Sequence, residues 1–151
     1  GADEDRLAVI AALKDGTLDA IATDHAPHSS LDKNVEFDKA AFGIVGLETS
    51  LALTLDQLVH AGHITPSRAV ELCSAAPAAL LGLAGKKGTL AVGADADLVL
   101  VAPDEAWTVE PDKFFSKSRN TPFAGRTLKG KVKQTMVAGT WVYDDTKGIL
   151  R

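Results

Sequence analysis

The hydrophobic pattern changes character near residue 85. Before it, apolar residues recur at helical spacing in an Ala- and Leu-rich background; after it, short Val, Leu and Thr runs sit between Gly, Pro and Asp. From Asp3 to Leu13, the residues Leu7, Ile10, Ala11 and Lys14 share one stripe with Val9 and Leu13 beside it, which predicts an amphipathic helix. Asp3, Glu4 and Asp5 fall in its first turn, where negative charge suits the helix dipole, and Gly16 follows as a stop. Asp19 to Thr23 reads as a short, fully buried strand. A helix followed by a buried strand is the grammar of a parallel sheet with crossovers. Asp24 to Ala41 reads as one long loop rich in His, Pro, Ser and Asp, and loops of that length are usually functional or disordered.

Gly46 to Ala61 predicts a second helix with Leu47, Leu51, Thr54, Leu55 and Leu58 as its inner face and Gly62 at its end. Thr65-Pro66 reads as an N-cap and a first-turn proline for a helix reaching Cys73, and Pro77 opens a shorter helix ending near Gly82. Leu98 to Val101 is expected as a buried strand and Trp107 to Val109 as a short one. Val132 to Val137 and Trp141 to Tyr143 flank Ala138-Gly139-Thr140, the pattern of a terminal hairpin.

Composition narrows the class. At 151 residues the chain is one domain or two small pieces. With 46% hydrophobic and 24% charged residues it is globular, and with 5% aromatics its core must be aliphatic. A net charge of −4 makes no case for nucleic acid or an anionic membrane. No apolar run approaches the roughly 18 residues of a membrane span. The acidic opening lacks the basic region of a signal peptide, and no Met starts the chain. A lone cysteine, Cys73, excludes an intramolecular disulfide and fits a reducing, cytoplasmic setting.

Candidate chemistry concentrates in Thr23-Asp24-His25-Ala26-Pro27-His28, directly after the predicted strand. In an α/β barrel, such loops carry the active site. A carboxylate there can ligate a metal or move a proton, and imidazoles can ligate metal, hold an anion or orient the carboxylate. A turn cap with surface histidines fits the spacing as well. Elsewhere, His60 and His63 have the spacing of a metal pair but sit at a helix end, where His60 suits the dipole. Asp95 and Asp97 lack the remaining calcium ligands and read as a turn. Cys73, beside Val70 and Leu72, reads as a small buried side chain. Lys113 to Lys133 holds seven Lys/Arg and no Asp/Glu, which reads as a solvated basic face. No phosphate-cradling glycine motif occurs.

The stretch Asp19-Ala-Ile-Ala-Thr-Asp-His-Ala-Pro-His28 resembles the dihydroorotase branch of the amidohydrolase superfamily. Ala41-Phe-Gly-Ile-Val-Gly-Leu-Glu-Thr49 is similar to that family's substrate loop entering the last barrel helix. Gly88 to Val101 resembles the entry into its C-terminal β-domain, and Asn120-Thr-Pro-Phe-Ala-Gly125 and Gly130 to Tyr143 also look like dihydroorotase. The resemblance spans about Asp3 to Tyr143. It implies a zinc hydrolase interconverting N-carbamoyl-L-aspartate and L-dihydroorotate in pyrimidine synthesis. Asp24 matches the aspartate at the end of barrel strand eight, a zinc ligand that shuttles a proton between the attacking hydroxide and the ring nitrogen. His28 matches the histidine that binds the substrate's exocyclic carboxylate. Phe42 and Gly43 match positions whose backbone contacts the ring, and His25 is left with loop support.

The chain departs from that family in carrying no His-x-His pair and only four histidines, too few for a two-zinc centre. A whole barrel needs roughly 250 residues. The expected fold is therefore α/β: residues 1–85 as the C-terminal part of a (β/α)8 barrel and 86–151 as the C-terminal part of a small composite β-sandwich domain. The expected partners are the small-molecule substrate and the missing N-terminal portion of the same enzyme. The resemblance also admits a homodimer or an association with aspartate transcarbamoylase. Alternatives are a non-catalytic scaffold for that transcarbamoylase, and an allantoinase or hydantoinase, whose ring substrates lack the exocyclic carboxylate.

Overall fold

The computed structural model describes residues 2–150, helical in the first half and a four-stranded antiparallel sheet in the second. Helix α1 (Asp3–Asp15) starts with its acidic first turn and stops at Gly16, φ 89°. Its C-terminal exit is held by Arg68, whose guanidinium donates to the carbonyls of Leu13 (3.1 Å) and Leu18 (3.2 Å). No residue of the expected stripe is buried; beside it, Leu13 is buried against Ile64, Ala69 and Leu72, and Leu7 and Val9 are about half exposed. Periodicity identifies a face that wants cover, and no described residue covers the rest of it.

The same reason corrects the next expectation. Residues 19–23 are neither buried nor a strand. A strand exists through its ladder with a neighbour, and this segment has none among the described residues. It is tied instead by the Ile21 N–H on the Leu72 carbonyl, 3.0 Å. The parallel sheet reduces to isolated bridges, of which the long-range one joins His25 to Ile44. The loop that follows is also less irregular than expected. Helix α2 (Ser30–Lys33) is closed by a reciprocal cap, with Ser29 Oγ accepting the Asp32 N–H (3.2 Å) and donating to its carboxylate (2.7 Å).

Helix α3 (Ser50–Thr54) runs on into a π-helical segment, Leu55–His60. Of its predicted inner face, Thr54 and Leu55 are buried, Leu51 and Leu58 are half-buried, and Leu47 is 63% exposed. The burial tracks contact with the sheet. Gly130 crosses so close that a Cβ there would lie 2.6 Å from Leu55 Cδ1. Leu47 instead borders an open groove with Leu51, Trp107, Phe115 and Tyr143. Helix α4 (Pro66–Val70), a π-helical segment (Glu71–Ala75) and α5 (Ala76–Leu80) form one rod, opened by Thr65 Oγ1 accepting the Arg68 N–H at 3.2 Å. Cys73 is exposed rather than buried, with its sulfur 4.0 Å from Thr54 Oγ1; desolvation of that sulfur still pushes the thiol pKa up, unlike a reactive cysteine.

The sheet is a meander of β1 (Leu98–Thr108), β2 (Thr127–Val137), β3 (Thr140–Asp144) and β4 (Gly148–Ile149). β1 unites both expected strands. Its ladder breaks between Ala102 and Ala106, around Pro103, which has no N–H to donate. Leu98 to Val101 is not buried: Val99 and Leu100, successive residues on opposite faces of the strand, are both nearly half exposed. The β2–β3 hairpin forms as expected, with Ala138 (φ 48°) and Gly139 (φ 78°) in the left-handed conformation its two-residue turn requires. Asp97 Oδ1 accepts the Ala138 N–H (2.7 Å) and Lys87 pairs with both Asp95 and Asp97, so this acidic pair latches a turn. The basic run is partly neutralised rather than simply solvated. Lys131 and Lys133 both reach Asp145 (2.8 and 2.6 Å) and Glu105, which lowers the Asp145 carboxyl pKa chiefly through the Lys131 hydrogen bond.

Val45, Ala52, Val109, Phe114 and Leu128 form the core that joins α3 to the sheet. Glu48 reinforces it, its carboxylate accepting the N–H groups of Phe115 and Ser116, each at 2.9 Å.

Candidate active site

Two loops meet here: 24–28, after the extended segment, and 41–46, leading into α3. Gly46 allows the approach, since a Cβ there would lie 2.9 Å from the Thr23 carbonyl oxygen. The Ala26 N–H donates to the Ile44 carbonyl at 2.8 Å. Gly43, at φ 113°, lies against Ala26; a Cβ on it would come within 2.4 Å of Ala26 Cβ and 3.4 Å of His28 Nε2. Any side chain at Gly43 would therefore be both strained and blocked.

His25 supports the junction. Its Nδ1 accepts the N–H groups of Gly46 (3.1 Å) and Leu47 (3.3 Å), which requires the tautomer with its proton on Nε2. His28 Nε2 donates to the Phe42 carbonyl at 2.6 Å. Lys33 Nζ donates to the carbonyls of Ala41 (2.8 Å) and Gly43 (3.1 Å). The carbonyls of 41–43 are thus tied back by side chains, while the N–H groups of Phe42 and Gly43 have no protein acceptor among the described residues. The Phe42 ring is 94% exposed.

Asp24 heads the first loop in the left-handed region, φ 44°, uncommon outside glycine though better tolerated by Asp than by most residues. It is exposed, and its carboxylate has no hydrogen bond or ion pair among the described residues. The structure therefore gathers His28, Phe42 and Gly43 into one contact and leaves Asp24 as an uncommitted carboxylate on the same loop. His60 lies elsewhere: its Nε2 donates to the Pro103 carbonyl at 2.9 Å, and Asp104 is 3.9 Å away. Among the described residues no three His, Cys, Asp or Glu side chains gather as a metal site. Zinc takes four ligands. Asp24 fits as one oxygen donor of such a site, while His25 is committed at Nδ1 and His28 at Nε2; with no group of three such side chains gathered there, further donors would have to come from outside the described residues.

Sequence reasoning assigned no role to two members of this site, although Asn120 opens one of the stretches that resemble dihydroorotase. Lys33 follows the Ser29–Asp32 cap, and that capping pattern was its only signal. Asn120 arrives from the far end of the chain. Its Oδ1 accepts the His28 N–H (3.2 Å), and its Nδ2 donates to the carbonyls of Ala26 (3.0 Å) and Gly43 (3.2 Å). No local spacing connects residue 120 to residue 26.

The amidohydrolase family profile matches residues 2–142. The chain is 53% identical over 141 residues to the dihydroorotase of Desulforapulum autotrophicum, covering 93% of this chain and 32% of the relative. It is 53% identical over 142 residues to that of Syntrophus aciditrophicus, covering 94% and 33%. Among solved structures, the L-hydantoinase (dihydropyrimidinase) of Arthrobacter aurescens superposes with a TM-score of 0.89 at 35% identity, over 95% of this chain and 32% of that one. D-hydantoinase from Bacillus sp. AR9 gives 0.87 at 29% identity, over 94% and 32%. The chain spans about a third of the length of the curated relatives it matches. A profile match over nearly every described residue, with the loop junction built from the motif residues themselves, places the chain in the amidohydrolase family.

Proposed function

We propose that the chain is the C-terminal part of a dihydroorotase, a zinc-dependent hydrolase that opens L-dihydroorotate to N-carbamoyl-L-aspartate and closes it again. Residues 1–85 would complete a (β/α)8 barrel and 86–151 a composite β-domain. The observation that carries this reading is the free Asp24 carboxylate at the head of the loop that also holds the His28–Phe42–Gly43 contact. About half-identity to dihydroorotases over almost the whole chain supports it.

In this reading Asp24 is a ligand to zinc, of which the complete enzyme holds two ions, and most other ligands come from outside the chain. Zinc, when bound, supplies Lewis acidity that polarises the ring carbonyl and brings the pKa of a water nucleophile to about 7. Asp24 accepts the proton that the attacking water loses. As the C–N bond of the ring breaks, the same carboxyl returns that proton to the departing nitrogen, so one group serves as base and then as acid. His28 binds the exocyclic carboxylate by turning its Nε2–H from the Phe42 carbonyl to the anion. The unpartnered N–H groups of Phe42 and Gly43 hydrogen-bond the polar edge of the ring.

A hydantoinase-type activity is the second reading, favoured by the hydantoinase superpositions. A histidine placed to meet an anion has less purpose on a ring without a carboxylate. The deciding experiment assays the full-length enzyme on L-dihydroorotate, hydantoin and allantoin. Turnover of L-dihydroorotate well above the other two supports dihydroorotase; preference for hydantoin overturns it.

A further inference from the structure

Asn120 hydrogen-bonds both loops of the candidate site. Those loops share one long-range backbone bridge, His25 with Ile44. Around it, Asn120 adds four hydrogen bonds from one residue. Three come from its carboxamide, to the His28 N–H and to the carbonyls of Ala26 and Gly43; the fourth is its main-chain carbonyl accepting the Val45 N–H at 3.1 Å. The carboxamide faces two carbonyls on one side and an N–H on the other. This pattern fixes its orientation and matches an amide, which donates and accepts at adjacent atoms. An aspartate would set an acceptor against both carbonyls; an alanine would leave all three backbone groups unmet in a half-buried place.

The bonded groups flank the ones that the proposed reaction would use. The Ala26 and Gly43 carbonyls bracket the point where the loops touch, and the His28 amide sits directly behind the imidazole that bonds Phe42. We propose that Asn120 is a positioning residue: it sets the distance between the His28 imidazole and the Phe42–Gly43 backbone without touching substrate. Its consequence for substrate rests on the dihydroorotase reading, whereas the clamp itself does not. The residue acts from the 116–125 segment, so the second half of the chain helps define a site whose chemistry lies in the first. Loss of the clamp leaves the groups present but misplaced, and misplacement of about 1 Å is enough to cost a hundredfold.

The test uses the full-length enzyme with Asn120→Ala and Asn120→Asp, read by amide hydrogen exchange, by kcat and KM for L-dihydroorotate, and by thermal melting. Asn120→Ala should speed exchange at the His28 amide at least tenfold. Asn120→Asp keeps that acceptor and should leave the amide slow. Both variants lose the donors to Ala26 and Gly43, so KM should rise at least tenfold in both. A residue of merely structural importance would lower the melting temperature and the active fraction while leaving KM alone. Unchanged His28 exchange in Asn120→Ala overturns the clamp, and KM within twofold of wild type in both variants overturns the positioning role. If Asn120→Ala does not fold, the near-isosteric Asn120→Asp decides by KM. If the wild-type enzyme is inactive on L-dihydroorotate, the exchange pattern alone decides the clamp, and the failure belongs to the substrate reading.

Discussion

The sheet and the loops of the candidate site are built on opposite plans. From Leu98 to Ile149 the backbone satisfies itself: β1 to β4 pair in sequence order, the turn at Ala138-Gly139 has the residues its geometry needs, and Lys131 and Lys133 lock Glu105 to Asp145. From Asp19 to Gly46 the backbone has almost no ladder. It is held by His25, Lys33 and Asn120 side chains reaching main-chain groups. Self-paired structure tolerates separation from its surroundings. Side-chain clamps instead allow an unpaired carboxylate and free N–H groups to face a ligand, at the expense of dependence on distant residues.

The largest expected effect breaks the loop side altogether. Residues 1–151 expressed alone should bind no stoichiometric zinc and show no L-dihydroorotate hydrolysis, because no three metal-binding side chains gather among the described residues. Metal analysis and a hydrolysis assay check this; a zinc-loaded, active product would overturn the reading of the chain as part of a longer enzyme.

A smaller effect is expected at His28. In the full-length enzyme, His28→Ala should weaken L-dihydroorotate binding by about 1.5–3 kcal/mol, the range for a hydrogen bond to a charged group, or roughly 10- to 150-fold. Zinc content should not change. A parallel fall in zinc would make His28 a metal ligand instead.

The smallest effect lies in the sheet and has a definite sign with pH. Asp145 titrates below its ordinary value because Lys131 and Lys133 stabilise its charge. A carboxyl with a lowered folded-state pKa contributes stability fully above the unfolded value of about 3.9 and loses it as pH falls through the folded value. Denaturation of the full-length enzyme should therefore show Asp145→Asn less stable than wild type at pH 6, with the gap narrowing as pH falls below the unfolded value. A gap that stays constant would mean the ion pairs contribute nothing.

The helices, the hairpin and the Asp24–His28 loop were readable because their signals are local: periodicity, N-cap threonine, Ala-Gly turn, and a motif of consecutive residues. Burial was not. The stripe at Leu7 and Val9, the segment 19–23, Leu47 and the run Val99–Leu100 are all apolar by pattern yet exposed, since pattern records the need for a neighbour and not its presence. Cys73 misled in the same way. The roles of Lys33 and Asn120 were not legible for a different reason. Asn120 lies 92 residues from His28 in sequence, and a carboxamide bonding three backbone groups leaves no periodic trace.

The central claim is that this chain delivers a catalytic carboxylate to a dihydroorotase site. It is tested most directly by Asp24→Asn in the full-length enzyme, with L-dihydroorotate turnover and bound zinc measured on the same preparation. The substitution keeps the shape and removes the charge and basicity, so turnover should fall at least about a hundredfold, the lower end for general acid–base catalysis. Near-normal turnover with two zinc ions bound would contradict the account.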